Sequence, residues 1–374
     1  MTLSKKIMFI FGTRPEAIKM APVIKKFSNK PDIKPVVVVT AQHREMLDQV
    51  LNIFNIKPDY DLGIMRDNQS LEDITILALR ELSDIIKLEK PAIILVQGDT
   101  TTTFVGALSA LYNKIPIGHI EAGLRTFDKF QPYPEEINRK LTTVLADVHF
   151  PPTKQAAENL RNEGVRDDLI SITGNTVIDT LLEVVDRKFN FTDPLKTILS
   201  QNNSRVILVT AHRRESFGEP LVNILSALKE IAERAPDVQI LFPVHPNPNI
   251  KNAVYKQIGG NPKIHLIDPL DYESFVHLMN KSYLIITDSG GVQEEAPSLG
   301  KPVLVLRNKT ERPEAVEAGT VKLVGSDYEV IVSESLKLLS DKDAYNSMAR
   351  AINPYGDGKA SERIFKIITE RFLR

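Results

Sequence analysis

Short, strongly apolar runs alternate with amphipathic stretches along this chain, and the alternation occurs twice. The first set is 7–11 (IMFIF), 36–40 (VVVVT), 92–96 (AIILV), 115–120 (IPIGHI), 148–150 (VHF) and 169–173 (LISIT). The second is 205–210 (RVILVT), 238–242 (VQILF), 264–267 (IHLI), 284–287 (LIIT), 302–306 (PVLVL) and 320–324 (TVKLV). Runs this apolar, spaced by helical patterns, predict parallel strands buried on both faces. Two such sets predict two Rossmann-like, doubly wound α/β domains with an interdomain cleft. The polar stretch 190–204 has no strand pattern and marks the region between them. The expected domains are 1–175 and 205–352, joined by 176–204. After the turn-rich NPYGDGKA (353–360), Ile364, Phe365, Ile367, Ile368 and Phe372 form one helical stripe. A helix over 359–374 is therefore expected to pack back on the first domain.

In doubly wound sheets, ligands bind outside the carboxyl ends of the strands. Polar groups gather there in this sequence. Arg14, Glu16 and Lys19 follow the first run, Asp99 follows the run at 92–96, and Glu121 follows that at 115–120. In the second half, His212, Arg213 and Arg214 follow 205–210, His245 follows 238–242, and Arg307 and Arg312 follow 302–306. The most informative stretch is LIITDSGGVQEE (284–295). It reads as a strand, a tight turn and a helix start, whose glycines allow close backbone approach and whose free N–H groups suit phosphate. Each residue also has an ordinary explanation: Asp99 as a helix cap, Glu121 and Glu135–Glu136 as helix-start carboxylates, Arg213 and Arg214 as a solvated face. His119, His149, His265 and His277 lie in apolar runs or a helix and read as structural.

Composition narrows the partners. With 374 residues, 42% hydrophobic, 25% charged and a net charge of −1, the chain has no electrostatic case for nucleic acid or an anionic membrane surface. There is no cysteine, so thiolate chemistry and disulfides are excluded. The apolar run near the N-terminus is too short for a signal core or a membrane span, and a cytoplasmic protein is expected.

Ten segments, in order from about residue 7 to 372, carry a resemblance: GTRPEAIK, AQHREM, QGDTTTTF, HIEAGLRT, PEEINRK, TGNTVIDT, TAHRRES, DSGGVQEEAPSLGKPVL, TERPEAVEAGT and NPYGDG. Together they resemble the non-hydrolysing UDP-N-acetylglucosamine 2-epimerases. The resemblance implies a glycosyltransferase-B-like fold and interconversion of UDP-GlcNAc and UDP-ManNAc for polysaccharide synthesis. It also implies a homodimer, with no metal or nicotinamide cofactor. It implies that UDP leaves first, giving 2-acetamidoglucal, and re-adds while a proton reaches the opposite face of carbon 2.

By that resemblance Ser289, Gly290 and Gly291 hold the phosphates, and Arg14 and His245 add to the clamp. Glu295 binds the ribose, Leu270 and Phe275 flank uracil, and Arg312 lies on the nucleotide side. Lys19 lies near the reacting sugar, Asp99, Glu121 and Glu135 are the acid/base candidates, and His212 stabilises the departing phosphate or shuttles a proton. Gln42, His43, Gln69, Glu136 and Arg213 match the pattern for a second, activating UDP-GlcNAc; Asn68 stands where some members carry arginine. The competing readings are a UDP-sugar-dependent glycosyltransferase, a hydrolysing epimerase and a non-catalytic UDP-sugar sensor.

Overall fold

The structure, a computed structural model, describes residues 4–40, 44–64, 69–200, 204–213 and 217–373. It divides into two compact units, Met1–Thr180 with Tyr355–Arg374, and Leu181–Pro354.

The first unit holds strands β1 (Lys5–Phe11), β2 (Ile33–Val39), β3 (Tyr60–Asp61), β4 (Ile93–Gln97), β5 (Ile117–Ile120) and β6 (Val148–Phe150). The second holds β7 (Arg205–Thr210), β8 (Val238–Pro243), β9 (Ile264–Ile267), β10 (Leu284–Thr287), β11 (Val303–Val305) and β12 (Val321–Leu323). The sheets run β3-β2-β1-β4-β5-β6 and β9-β8-β7-β10-β11-β12, and their pairings are parallel. Each unit therefore uses the same order of its own six strands. In each, connections diverge between the first and fourth strands, β1/β4 and β7/β10, which are the topological switch points where ligands bind in such sheets.

The apolar runs become strands because both faces are covered. Ile7, Phe9, Ile94, Leu95, Ile207, Leu208 and Ile285 are fully buried. One expected strand does not form. Over 169–173 there is a 3-10 turn, Asp167–Leu169, and a single bridge between Ile170 and His149. Ser171 and Thr173 do donate to His149 and Pro151. The partner, β6, runs into Pro151–Pro152, which have no N–H to return a bond, so the ladder stops. The short edge strand β3 takes a place in the sheet that the sequence pattern did not mark.

The C-terminal helix Ala360–Phe372 belongs to the first unit and packs on the helix Arg14–Ser28, with the Phe27 and Phe365 rings 4.9 Å apart. Its N-terminus is held by Asp179, which accepts from the Ala360 and Ser361 amides at 3.1 and 2.8 Å. Among the described residues no helix is long and apolar enough to cross a membrane.

Candidate functional site

In the first unit the site begins with a capping box. Thr13 precedes the helix Arg14–Ser28, Pro15 takes its first turn, and Glu16 reaches back to the Thr13 amide at 2.8 Å. Glu16 does more than cap. It is buried and also accepts from the Gly12 amide (3.0 Å) and from the Thr100 and Thr103 hydroxyls (2.7 and 3.0 Å). It thus knits the turn after β1 to the turn after β4. Burial raises its carboxyl above the usual range against the pull of these donors. Gly12 is required by the same crowding, since a Cβ there would lie 2.1 Å from Thr40 Oγ1. Arg14 stands in the first helical turn, half-buried.

Beyond that frame lie the acid/base candidates. Glu121 sits just past β5 with φ +63°, a left-handed conformation that a long side chain adopts only when the surroundings impose it. No helix starts there, so the helix-start explanation does not apply. Its carboxylate accepts from Lys19 Nζ at 2.6 and 2.7 Å, from Asn175 Nδ2 at 3.0 Å, and from Gln97 Nε2. Asp99 does not cap the helix Thr101–Tyr112; Thr100 does, accepting from the Thr103 amide. Asp99 instead pairs with Arg139, which also reaches Glu136 at 3.1 Å. Glu135, half-buried, opens the helix Glu135–Leu145. Its neighbour Glu136 is fully buried and accepts from the Thr126 and Phe127 amides at 3.1 and 3.0 Å. Of the residues matching the pattern for a second nucleotide sugar, Gln42 and His43 lie outside the described residues, as do the departing position Asn68 and Arg214. Gln69 immediately precedes Ser70, the cap of the helix Leu71–Glu89.

In the second unit the switch point is organised by Asp288, which is fully buried at the end of β10. Its Oδ2 accepts from the His212 and Arg213 amides at 2.7 and 2.8 Å, and its Oδ1 lies 3.0 Å from His212 Nδ1. Burial alone would raise the Asp288 carboxyl, but the His212 imidazole and the two amides hold it below the usual range. The His245 ring stacks on that of His212 at 5.9 Å; burial and the neighbouring His212 lower its pKa.

The turn that follows lies between two guanidinium groups. Ser289 stands at the N-cap position of the helix Gly290–Glu295 without a side-chain cap hydrogen bond. A Cβ on Gly290 would meet Arg213 Nη2 at 3.8 Å and Arg312 Nη2 at 3.9 Å in van der Waals contact. Two guanidiniums therefore flank free helix amides, and the buried Arg213 Nε has no hydrogen-bond partner among the described residues. Arg312 is anchored by Glu294. Glu295 accepts from the buried Tyr272 hydroxyl at 2.8 Å, and Phe275 lies one turn along the helix that Tyr272 opens, two residues after Leu270. Among the described residues no group of three His, Asp or Glu side chains is arranged to hold a metal ion.

His119, His149, His265 and His277 are structural. His119 holds the Gly98 carbonyl at 2.7 Å, His265 holds Gln239 at 2.7 Å, and His277 stacks on Phe189. Burial lowers His119 to about 3 and His149 to about 4. Sequence reasoning gave no role to Gln97, Arg139, Asn175, Tyr272 or Asp288. Glu16 carried a legible signal, the Thr13-x-x-Glu16 spacing of a capping box.

Comparison with known proteins follows the same lines. A family model described as UDP-N-acetylglucosamine 2-epimerase matches residues 25–369. The UDP-N-acetylglucosamine 2-epimerase of Campylobacter jejuni is 54% identical over 372 residues, covering 97% of each chain. A solved structure of UDP-GlcNAc 2-epimerase from Neisseria meningitidis bound to UDP-GlcNAc is 49% identical, with a TM-score of 0.88 over 98% of this chain and 100% of that one. That of the Methanocaldococcus jannaschii enzyme in complex with UDP-GlcNAc and UDP is 36% identical, with a TM-score of 0.80 over 98% and 99% of the two chains.

Proposed function

Because this chain belongs to the UDP-N-acetylglucosamine 2-epimerase family, we propose that it reversibly epimerises carbon 2 of UDP-GlcNAc to give UDP-ManNAc. Carbon 2 of this sugar bears an amide nitrogen and is not next to a carbonyl, so its proton is not acidic enough for simple abstraction. Expelling UDP first gives carbon 1 oxocarbenium character and acidifies that proton. A base then removes it, the carbon 1–oxygen bonding pair having left with UDP, and 2-acetamidoglucal remains. UDP returns to carbon 1 as a proton is delivered to the opposite face of carbon 2.

The two units divide this work. In the second, Ser289, Gly290, Gly291, Arg213 and Arg312 hold the leaving diphosphate, with Arg14 adding charge and His245 a hydrogen bond. Glu295 takes the ribose hydroxyls, and Phe275 and the Leu270 backbone the uracil. In the first, Asp99, Glu121 and Glu135 serve as acid and base, with Lys19 beside the reacting sugar. His212, its Nδ1 turned to Asp288, presents Nε2 to the departing phosphate.

The observation that carries this reading is Glu121, a carboxylate kept on a left-handed backbone and met by an ammonium and two amides. Such a group is prepared for proton transfer rather than for capping. Incubation with UDP-GlcNAc alone in heavy water tests it: UDP-ManNAc deuterated at carbon 2 is expected. Free sugar would show a hydrolysing enzyme instead, no change without an acceptor a transferase, and a perturbed spectrum without product a sensor.

We further propose that a second UDP-GlcNAc activates the enzyme, weakly, through Gln42, His43, Gln69, Glu136 and Arg213, the last reaching the diphosphate as well. Kinetics from UDP-ManNAc should then turn from sigmoidal to hyperbolic on adding UDP-GlcNAc. The chain is also proposed to act as a cytoplasmic homodimer feeding a cell-envelope polysaccharide. Leu111, Tyr112, Leu141 and Val144 are exposed on two neighbouring helices and suit such pairing, so Val144→Glu should lower the mass seen by light scattering.

A further inference from the structure

We propose that Asn175 is a positioning residue for the Glu121 carboxylate, and that it ties the setting of that carboxylate to the seating of the chain's C-terminal return at Tyr355–Gly356. The proposal rests on the reading of Glu121 as an acid/base group, and adds a residue and a coupling to it.

Asn175 is 2% exposed, and three of its polar atoms are committed in different directions. Its backbone N–H donates to the Tyr355 carbonyl at 2.6 Å. Its Oδ1 accepts from the Val177 amide at 3.1 Å, at the start of the helix Thr176–Val185. That bond fixes which end of the amide is oxygen, so Nδ2 must face Glu121, where it donates to Oε1 at 3.0 Å.

The backbone on either side is equally constrained. Gly174 has φ +87°, and a Cβ there would lie 3.2 Å from Gly356 Cα and 3.3 Å from the Tyr355 carbonyl oxygen. The two glycines let the chains touch backbone to backbone. Tyr355 is buried beside them, and the following helix is capped by Asp179 on the helix Thr176–Val185. Movement of the return segment therefore reaches Asn175 directly, and through it Glu121. Lys19 and Gln97 hold the carboxylate from other elements, so the Asn175 contact sets its orientation rather than its presence. Lys19, from the helix Arg14–Ser28, and His119, from the strand before it, are titratable groups that face Glu121.

The test uses the full chain. Asn175→Asp puts a second carboxylate where the amide stood. It should lower kcat about 100-fold with KM within about threefold, and move the acid limb of the pH–kcat profile upward. In a Glu121→Gln background the same substitution should change kcat less than about twofold, because the group it acts through is gone. Gly356→Ala, which displaces the return segment without touching either side chain, should lower kcat about tenfold while UDP affinity by titration calorimetry holds. Wild-type kcat and pH profile in Asn175→Asp would overturn the proposal, as would an equal loss in the Glu121→Gln background. If Asn175→Asp does not fold, Asn175→Ser and Gly356→Ala decide, and wild-type turnover by both would overturn it. Wild-type turnover by Glu121→Gln alone would instead sink the reading beneath it.

Discussion

At each switch point a buried carboxylate ties the first turn to the fourth. In the first sheet Glu16 gathers the Gly12 and Thr13 amides after β1 and the Thr100 and Thr103 hydroxyls after β4. In the second, Asp288 at the end of β10 gathers the His212 and Arg213 amides after β7. The device is the same and the electrostatics are opposite. Glu16 meets neutral donors, and burial raises its pKa; Asp288 also meets an imidazole, and its pKa falls. One topology thus carries a carboxylate that meets only neutral donors in one unit and one that orients the His212 ring in the other. What decides is a single neighbouring group that can bear positive charge.

This contrast can be broken at several points. The largest effect is expected at Glu121, which follows β5, two strands along the sheet from β1 and Glu16. Glu121→Gln should lower kcat by roughly three orders of magnitude in a carbon 2 deuterium-exchange assay, with the melting temperature little changed.

Acid should separate the units next. His119 and His149 titrate at about 3 and about 4 in the folded first unit, against 6.5 unfolded. Below pH 6.5 the unfolded chain therefore binds protons that the native state refuses. Stability is full above 6.5 and falls by roughly 1.4 kcal/mol per pH unit per histidine as the pH drops toward these values. Between pH 6.5 and 4.5 the pair should remove roughly 4–5 kcal/mol. Hydrogen exchange should show β5 and β6 losing protection before β8 and β9; simultaneous loss would remove this difference between the units.

Glu16→Ala should cost about 3 kcal/mol in urea unfolding, because buried donors lose their acceptor. Asp288→Asn should leave stability closer to wild type and lower kcat about tenfold by freeing the His212 ring, with the pH profile altered. Reversal of these two results would mean that the roles assigned to the two carboxylates are exchanged.

The contrast also explains what the sequence could and could not disclose. Apolar periodicity located the two sheets because strands buried on both faces must be apolar throughout. It overran at 169–173, where Pro151–Pro152 stop the ladder, and it passed over the two-residue strand Tyr60–Asp61. Arg14, Asp99, Glu121, His212 and the Ser289–Gly291 turn were legible because strand ends are where polar residues interrupt apolar runs. Their supports were not. Gln97 ends an apolar strand, Asn175 immediately precedes a helix, and Asp288 precedes a glycine pair. Each acts on a partner 24 to 76 residues away, which no local pattern encodes.

The division of labour between the two units is tested most directly by titration calorimetry with UDP on wild type, Arg213→Ala and Glu121→Gln. The account predicts UDP affinity in the wild type, a loss of about tenfold or more in Arg213→Ala, and no change in Glu121→Gln. Undiminished affinity in Arg213→Ala, or a loss confined to Glu121→Gln, would contradict it.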